Sequence, residues 1–188
     1  MSFKNLDYKM ESIDISKWKI SNNIEIIYHG NVFKLPRDIA KKWVDFFKRT
    51  LGFRKRYSVI FRVISLKPLD IYIAFFDNIE KVKIFATTNI NNMSQLLPLT
   101  TELWNLSAEF DNVRYSNSFD IGKTIVLETN LSAINIHGPK RYFRCLSCSQ
   151  AQKWFDFLND SIHNNNIVET DDNEIEDNKI DIYVNSID

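Results

Sequence analysis

The chain has 188 residues, of which 44% are apolar and 13% aromatic, enough for one domain with a real core. No apolar run approaches the roughly 18 residues a transmembrane helix needs, and the 24 basic residues are balanced by 24 acidic ones. That balance hides an asymmetry: net charge is +1 over residues 1–23, +6 over 24–163 and −7 over 164–188, and 34–67 alone carries eleven basic residues against two acidic ones. A field so concentrated implies an anionic partner, or an acidic segment folded over it.

Residues 1–23 have no clear period and are expected to form an N-terminal arm, with Trp18 and Ile20 the residues able to pack on the domain. They lack the apolar core of a signal peptide. Ser2 stands where N-myristoylation needs glycine, so that anchor is not expected. Residues 24–35 are rich in β-branched and aromatic types and read as the first strand, with Gly30 marking a bend or bulge.

Residues 36–51 break the β pattern. Pro36 suits the first turn of a helix, and Asp38 suits its positive end. Ile39, Trp43, Phe46, Phe47 and Leu51 then fall near one face, and Lys41, Lys42, Asp45, Lys48 and Arg49 mostly on the other. Gly52 ends it. Such a basic amphipathic helix either packs on the domain or lays its apolar face in a bilayer.

Further strands are expected over 53–64, 69–76, 82–88 and 99–110, with a loop over 89–98. Residues 117–128 read as a sixth strand broken at Gly122. Gly138-Pro139 makes a turn before a last strand from Tyr142 to Leu146. A helix then carries Ala151, Trp154, Phe155, Leu158 and Ile162 on one face and Lys153, Asp156, Asn159 and Asp160 on the other. Ser149 with Gln152, or Ser147 with Gln150, caps its start. Cys145 and Cys148 make a lone C-x-x-C that belongs to the strand end and the helix entry rather than to a metal or redox centre, in keeping with a reducing, cytosolic compartment. The architecture expected is mainly β: about seven antiparallel strands in a sandwich or barrel covered by one C-terminal amphipathic helix, with an extra helix between strands 1 and 2. The domain spans 24–163, and the acidic stretch 164–188 has the composition of a disordered tail.

This order of elements resembles the pleckstrin homology (PH) family. GNVFKL (30–35) is similar to the family's first strand, and RKRY (54–57) to the start of its second. Lys34, Arg54 and Arg56 together resemble its K-x(n)-[KR]-x-R phosphoinositide pattern. NSFDI (117–121) resembles an N-x-F-x-[IL] strand, and YFRCLSCSQAQKWFDFL resembles its last strand and helix, with Trp154 at the family's most characteristic position. The low Gly and Pro content, with many Asn, Ile and Lys, suggests an AT-rich genome of the kind apicomplexan parasites have, and the chain resembles a relative of their acylated PH-domain proteins that lacks the acylation glycine.

The resemblance implies a head-group site at Lys34, Arg54, Arg56 and Tyr72, the last as a hydroxyl donor. Lys41, Lys42, Trp43, Phe46 and Phe47 are the expected membrane-contact residues. A phosphomonoester is a compact anion with several acceptor oxygens, suited to the planar fork of Arg and the mobile ammonium of Lys. The expected function is a cytoplasmic, peripheral-membrane adaptor that binds a phosphoinositide or phosphatidic acid. The alternative is a protein-interaction module with a degenerate lipid site. No cofactor, metal, catalytic centre or nucleic-acid partner is expected, and the domain is expected to be a monomer.

Overall fold

The computed structural model describes residues 14–35, 52–66, 69–117 and 120–163. Seven strands form one antiparallel sheet: β1 (Ile24–Lys34), β2 (Arg54–Val63), β3 (Tyr72–Phe76), β4 (Glu102–Asn105), β5 (Phe110–Tyr115), β6 (Thr124–Thr129) and β7 (Lys140–Arg144). Their order across the sheet is β4-β3-β2-β1-β7-β6-β5. Two meanders, β1 to β4 and β5 to β7, are joined where Phe33 meets Arg144 and Lys34 meets Phe143.

The sheet curls, because inner-face residues from all seven strands meet in one core. Val32, Ile60, Phe75, Trp104, Val113, Leu127 and Phe143 are among them. A C-terminal helix, Cys148–His163, buries Ala151, Trp154, Leu158 and Ile162 in the same core. Trp154 is fully buried, edge-on to Tyr28 with centroids 4.8 Å apart and to Phe143 at 5.9 Å. Phe155, on the expected face, is half-buried and stacks on Tyr115 at 4.8 Å. This is the PH-like architecture that the resemblance implies.

The helix start follows the second of the two caps. The backbone N–H of Gln150 donates to Ser147 Oγ at 3.1 Å, and Leu146 N–H donates back to Gln150 Oε1 at 3.0 Å. Cys145 is buried just past β7, and Cys148 is exposed at the first helical residue. Burial pushes the Cys145 thiol up to about 12, which keeps it protonated and unreactive near neutral pH.

A second apolar layer departs from expectation. Residues 82–88 do not form a strand; Ile79–Thr87 is a helix, α1. Asn78 caps it, accepting from Lys81 N–H at 3.0 Å. Its buried residues, Val82, Phe85 and Ala86, follow helical spacing and meet Tyr57, Val59, Phe61, Ala74 and Phe76 on the outer face of β2 and β3. Strand β2 is therefore covered on both faces, which is why Tyr57 to Phe61 are all buried. Trp18 of the arm packs against this second core. Within 89–98, Met93–Leu96 is a 3-10 turn closed by a capping box between Asn92 and Gln95.

Two further expectations are corrected, and a third is met in part. The stretch 99–110 is not one strand: β4 ends at Asn105, whose side chain accepts from Ala108 N–H at 3.2 Å and starts one helical turn, α2 (Leu106–Glu109), before β5 begins. That turn carries the chain from one edge of the sheet to the other. The expected strand over 117–128 is broken at Gly122 as expected, and its part after the break, β6, begins at Thr124. Asp120 and Gly122 have φ of 43° and 77°, and the Asp120 carbonyl accepts from Lys123 N–H at 2.8 Å, so the chain turns there. Finally, the irregularity in β1 falls between Ile26 and Tyr28, not at Gly30. Gly30 lies in register with Ser58 on the inner face, where an added Cβ would stand 3.6 Å from the Trp154 ring. A single turn, α3 (Ile134–His137), sits between β6 and β7, and the C-terminal helix is α4. The helix expected over 38–51, with Lys41, Lys42, Trp43, Phe46 and Phe47, and the tail 164–188 lie outside the described residues.

Candidate functional site

Strand register brings the basic trio together. Lys34 pairs with Arg54 and Val32 with Arg56, so both arginines share the inner face with Val32 and Lys34. Arg54 is exposed and makes no ion pair with a described residue. Arg56 is partly buried, lies 3.5 Å from Asp77 and donates to the Lys55 carbonyl at 2.8 Å. With Lys34, Thr101 and Glu102 they line an open cavity of about 210 Å³. The cavity sits where β1 ends, β2 begins and β4 begins. Thr101 is fixed there because its N–H and hydroxyl both donate to the Phe75 carbonyl, at 2.7 and 3.1 Å.

Lys34 does not present a free ammonium to this cavity. Its Nζ forms an ion pair with Glu102 Oε1 and lies 5.1 Å from the ring centres of both Phe75 and Trp104. Burial pulls its pKa down to about 8, a shift opposed by Glu102 and reinforced by Arg141 and Arg56. The other oxygen of Glu102 accepts from Trp104 Nε1 at 3.0 Å and faces Arg141 at 3.9 Å. Arg141 in turn lies over the Trp104 ring at 5.4 Å. Three strands, β1, β4 and β7, thus converge on one carboxylate.

Tyr72, expected at the site, is not brought to it. Tyr72 pairs with Phe61, whereas Phe76 pairs with Tyr57 near the cavity. Four residues of strand put it about 13 Å away along the sheet. Its hydroxyl donates to Asp70 at 2.9 Å, and its ring packs in the outer layer against Phe61. Burial and the neighbouring Asp70 both raise its pKa.

Glu102, Trp104 and Arg141 were missed by sequence reasoning, although a signal existed for each. Alternation puts Glu102 on the same strand face as Trp104, and Arg141 on the same face as Phe143. A charged residue on an apolar face needs a partner. Which partner was not readable, because the three strands are far apart in the chain.

No family model matches the chain, and no curated protein matches it in sequence. Among solved structures, the Slm1 PH domain in complex with inositol 4-phosphate is similar at 15% identity, with a TM-score of 0.43 over 71% of this chain and 93% of that one.

Proposed function

We propose that this domain targets membranes by holding an anionic lipid head group, a phosphoinositide or phosphatidic acid, at the cavity lined by Lys34, Arg54 and Arg56. The observation that supports this is the placement of those three side chains on one inner face around an open cavity. Arg54 points its fork at solvent there, and Arg56 stands beside it at the rim. Two guanidinium groups can take several phosphate oxygens at once. The surplus positive charge of the domain adds weak attraction for any anionic surface, which favours a peripheral membrane location on the cytoplasmic side. No helix among the described residues is long and apolar enough to cross a membrane.

A second reading, a protein-interaction module with a degenerate lipid site, is favoured by a specific pair of facts. Lys34 is committed to Glu102, and the Tyr72 hydroxyl to Asp70. Co-sedimentation with anionic and neutral vesicles separates the two. Arg54→Ala with Arg56→Ala is expected to weaken binding to anionic vesicles roughly thirtyfold, at about 1 kcal/mol for each charge near the surface. The unfolding midpoint is expected to stay close to that of the parent, because Arg54 is exposed and Arg56 lies at the rim. Unchanged binding by the folded variant supports the protein-interaction module instead.

A further inference from the structure

The basic trio is not equivalent, and its inequality is built by residues outside the trio. The Lys34 side chain is only 6% exposed, Arg141 1%, and the Glu102 between them 27%. Both Glu102 oxygens are engaged, one by Lys34 and the other by the Trp104 indole with Arg141 beyond it. The inner end of the cavity already holds an anion supplied by β4. A phosphate that reached Lys34 would have to displace this carboxylate from the ammonium. Separating this pair is unfavourable, because the Lys34 ammonium is buried and Glu102 is the carboxylate paired with it. Arg54 and Arg56 carry no such constraint. Arg54 has no ion pair with a described residue, and the contact between Arg56 and Asp77 lies at an exposed rim where pairing is weak.

We propose that Glu102 is an internal counter-ion that fills the inner half of the site, so that the phosphate is held at the mouth by Arg54 and Arg56 while Lys34 acts through Glu102 as a positioning residue. This rests on the lipid reading of the same cavity and deepens it by assigning which cations touch the phosphate. The ligand chemistry is a phosphomonoester reached from outside. Glu102 keeps affinity moderate, since its carboxylate faces the bound anion.

The test uses the full chain and phosphatidylcholine vesicles containing either a phosphatidylinositol phosphate or phosphatidic acid. Inorganic phosphate and a soluble inositol phosphate serve as competitors, to distinguish a lipid surface from the phosphate group alone. Glu102→Gln is expected to bind at least about fivefold more tightly, the value of one charge near an anionic surface. Lys34→Met/Glu102→Gln removes one charge of each sign together, so it keeps the net charge, and the side-chain carbonyl oxygen of the new glutamine can still accept from Trp104 and Arg141. It is expected to bind within about twofold of the parent, the usual scatter for additive changes, with the same dependence on salt.

If Glu102→Gln fails to fold, the double variant decides alone. A tenfold or greater loss in the folded double variant overturns the inference, because Lys34 would then be a direct ligand. Equal binding by Glu102→Gln and the parent also overturns it. Absence of binding by the parent and both variants on every vesicle overturns the lipid reading itself, and the inference falls with it.

Discussion

Lys34 shows how a single side chain can hold an unusual state when several elements agree on it. Its ammonium is desolvated between two aromatic rings, and Glu102 compensates only part of that cost, so its pKa falls from 10.5 to about 8. The sign of the pH effect follows. Below about pH 8, Lys34 is protonated in both folded and unfolded chains, and its contribution does not change with pH. Between about pH 8 and 10.5 the unfolded chain keeps a proton that the folded chain has released, so stability rises with pH. The burial of Cys145, Tyr57 and Tyr72 raises their pKa values and works the opposite way at high pH, but equally in a variant that keeps them. Urea unfolding of the parent and of Lys34→Met/Glu102→Gln is therefore expected to diverge. The parent should gain on the order of 2 kcal/mol relative to the variant between about pH 8 and pH 10. A constant difference across that range would mean that the Lys34 ammonium is not desolvated.

At the scale of elements, α1 decides how the sheet is covered. Its segment is rich in Val, Ile and Phe, which suit a strand when read alone. Two local features favour the helix: Asn78 at the cap and the spacing of Val82, Phe85 and Ala86. Long-range demand agrees with them, because the outer face of β2 and β3 is apolar and has to be buried. Phe85 meets Phe61 edge-on at 4.8 Å and Phe76 at 5.3 Å. Asn78→Ala is expected to cost about 1 kcal/mol in denaturant unfolding, the usual price of a lost N-cap. No loss would mean that the cap is dispensable once the apolar face is packed. The strand count matches expectation only because two errors offset each other. The expected strand over 82–88 is a helix, and β5 (Phe110–Tyr115) is an extra strand that falls between those expected over 99–110 and 117–128.

For the whole molecule, the question is whether the acidic stretch 164–188 competes with an anionic surface for the basic domain. The described domain gathers Arg54 and Arg56 at one open end, while residues 164–188 carry eight acids against one lysine. We propose that those acids, carried on the same chain, compete with an anionic surface for the basic mouth. Exposed ion pairs are worth less than about 1 kcal/mol each and are screened by salt, so this competition should fade as salt rises. Truncation after His163 is expected to tighten binding to anionic vesicles at low salt, with the gain vanishing as salt rises. Equal affinity at every salt concentration would make the tail a solubility device.

The sequence alone determined the features that depend on local periodicity. Alternation in β1 and β2 put Lys34, Arg54 and Arg56 where one register step aligns them, and helical spacing put Ala151, Trp154, Leu158 and Ile162 on one stripe. The Ser147 cap was legible as one of two equal choices. Both periods are properties of neighbouring residues, so a reading along the chain finds them. Tertiary structure decided what depends on how far the sheet curls. It gave Lys34 to Glu102, laid Arg141 over Trp104 and left Tyr72 on the outer layer with Asp70. Residue types announce that a buried charge needs a partner, but its identity is set by which distant strands the closed sheet brings face to face.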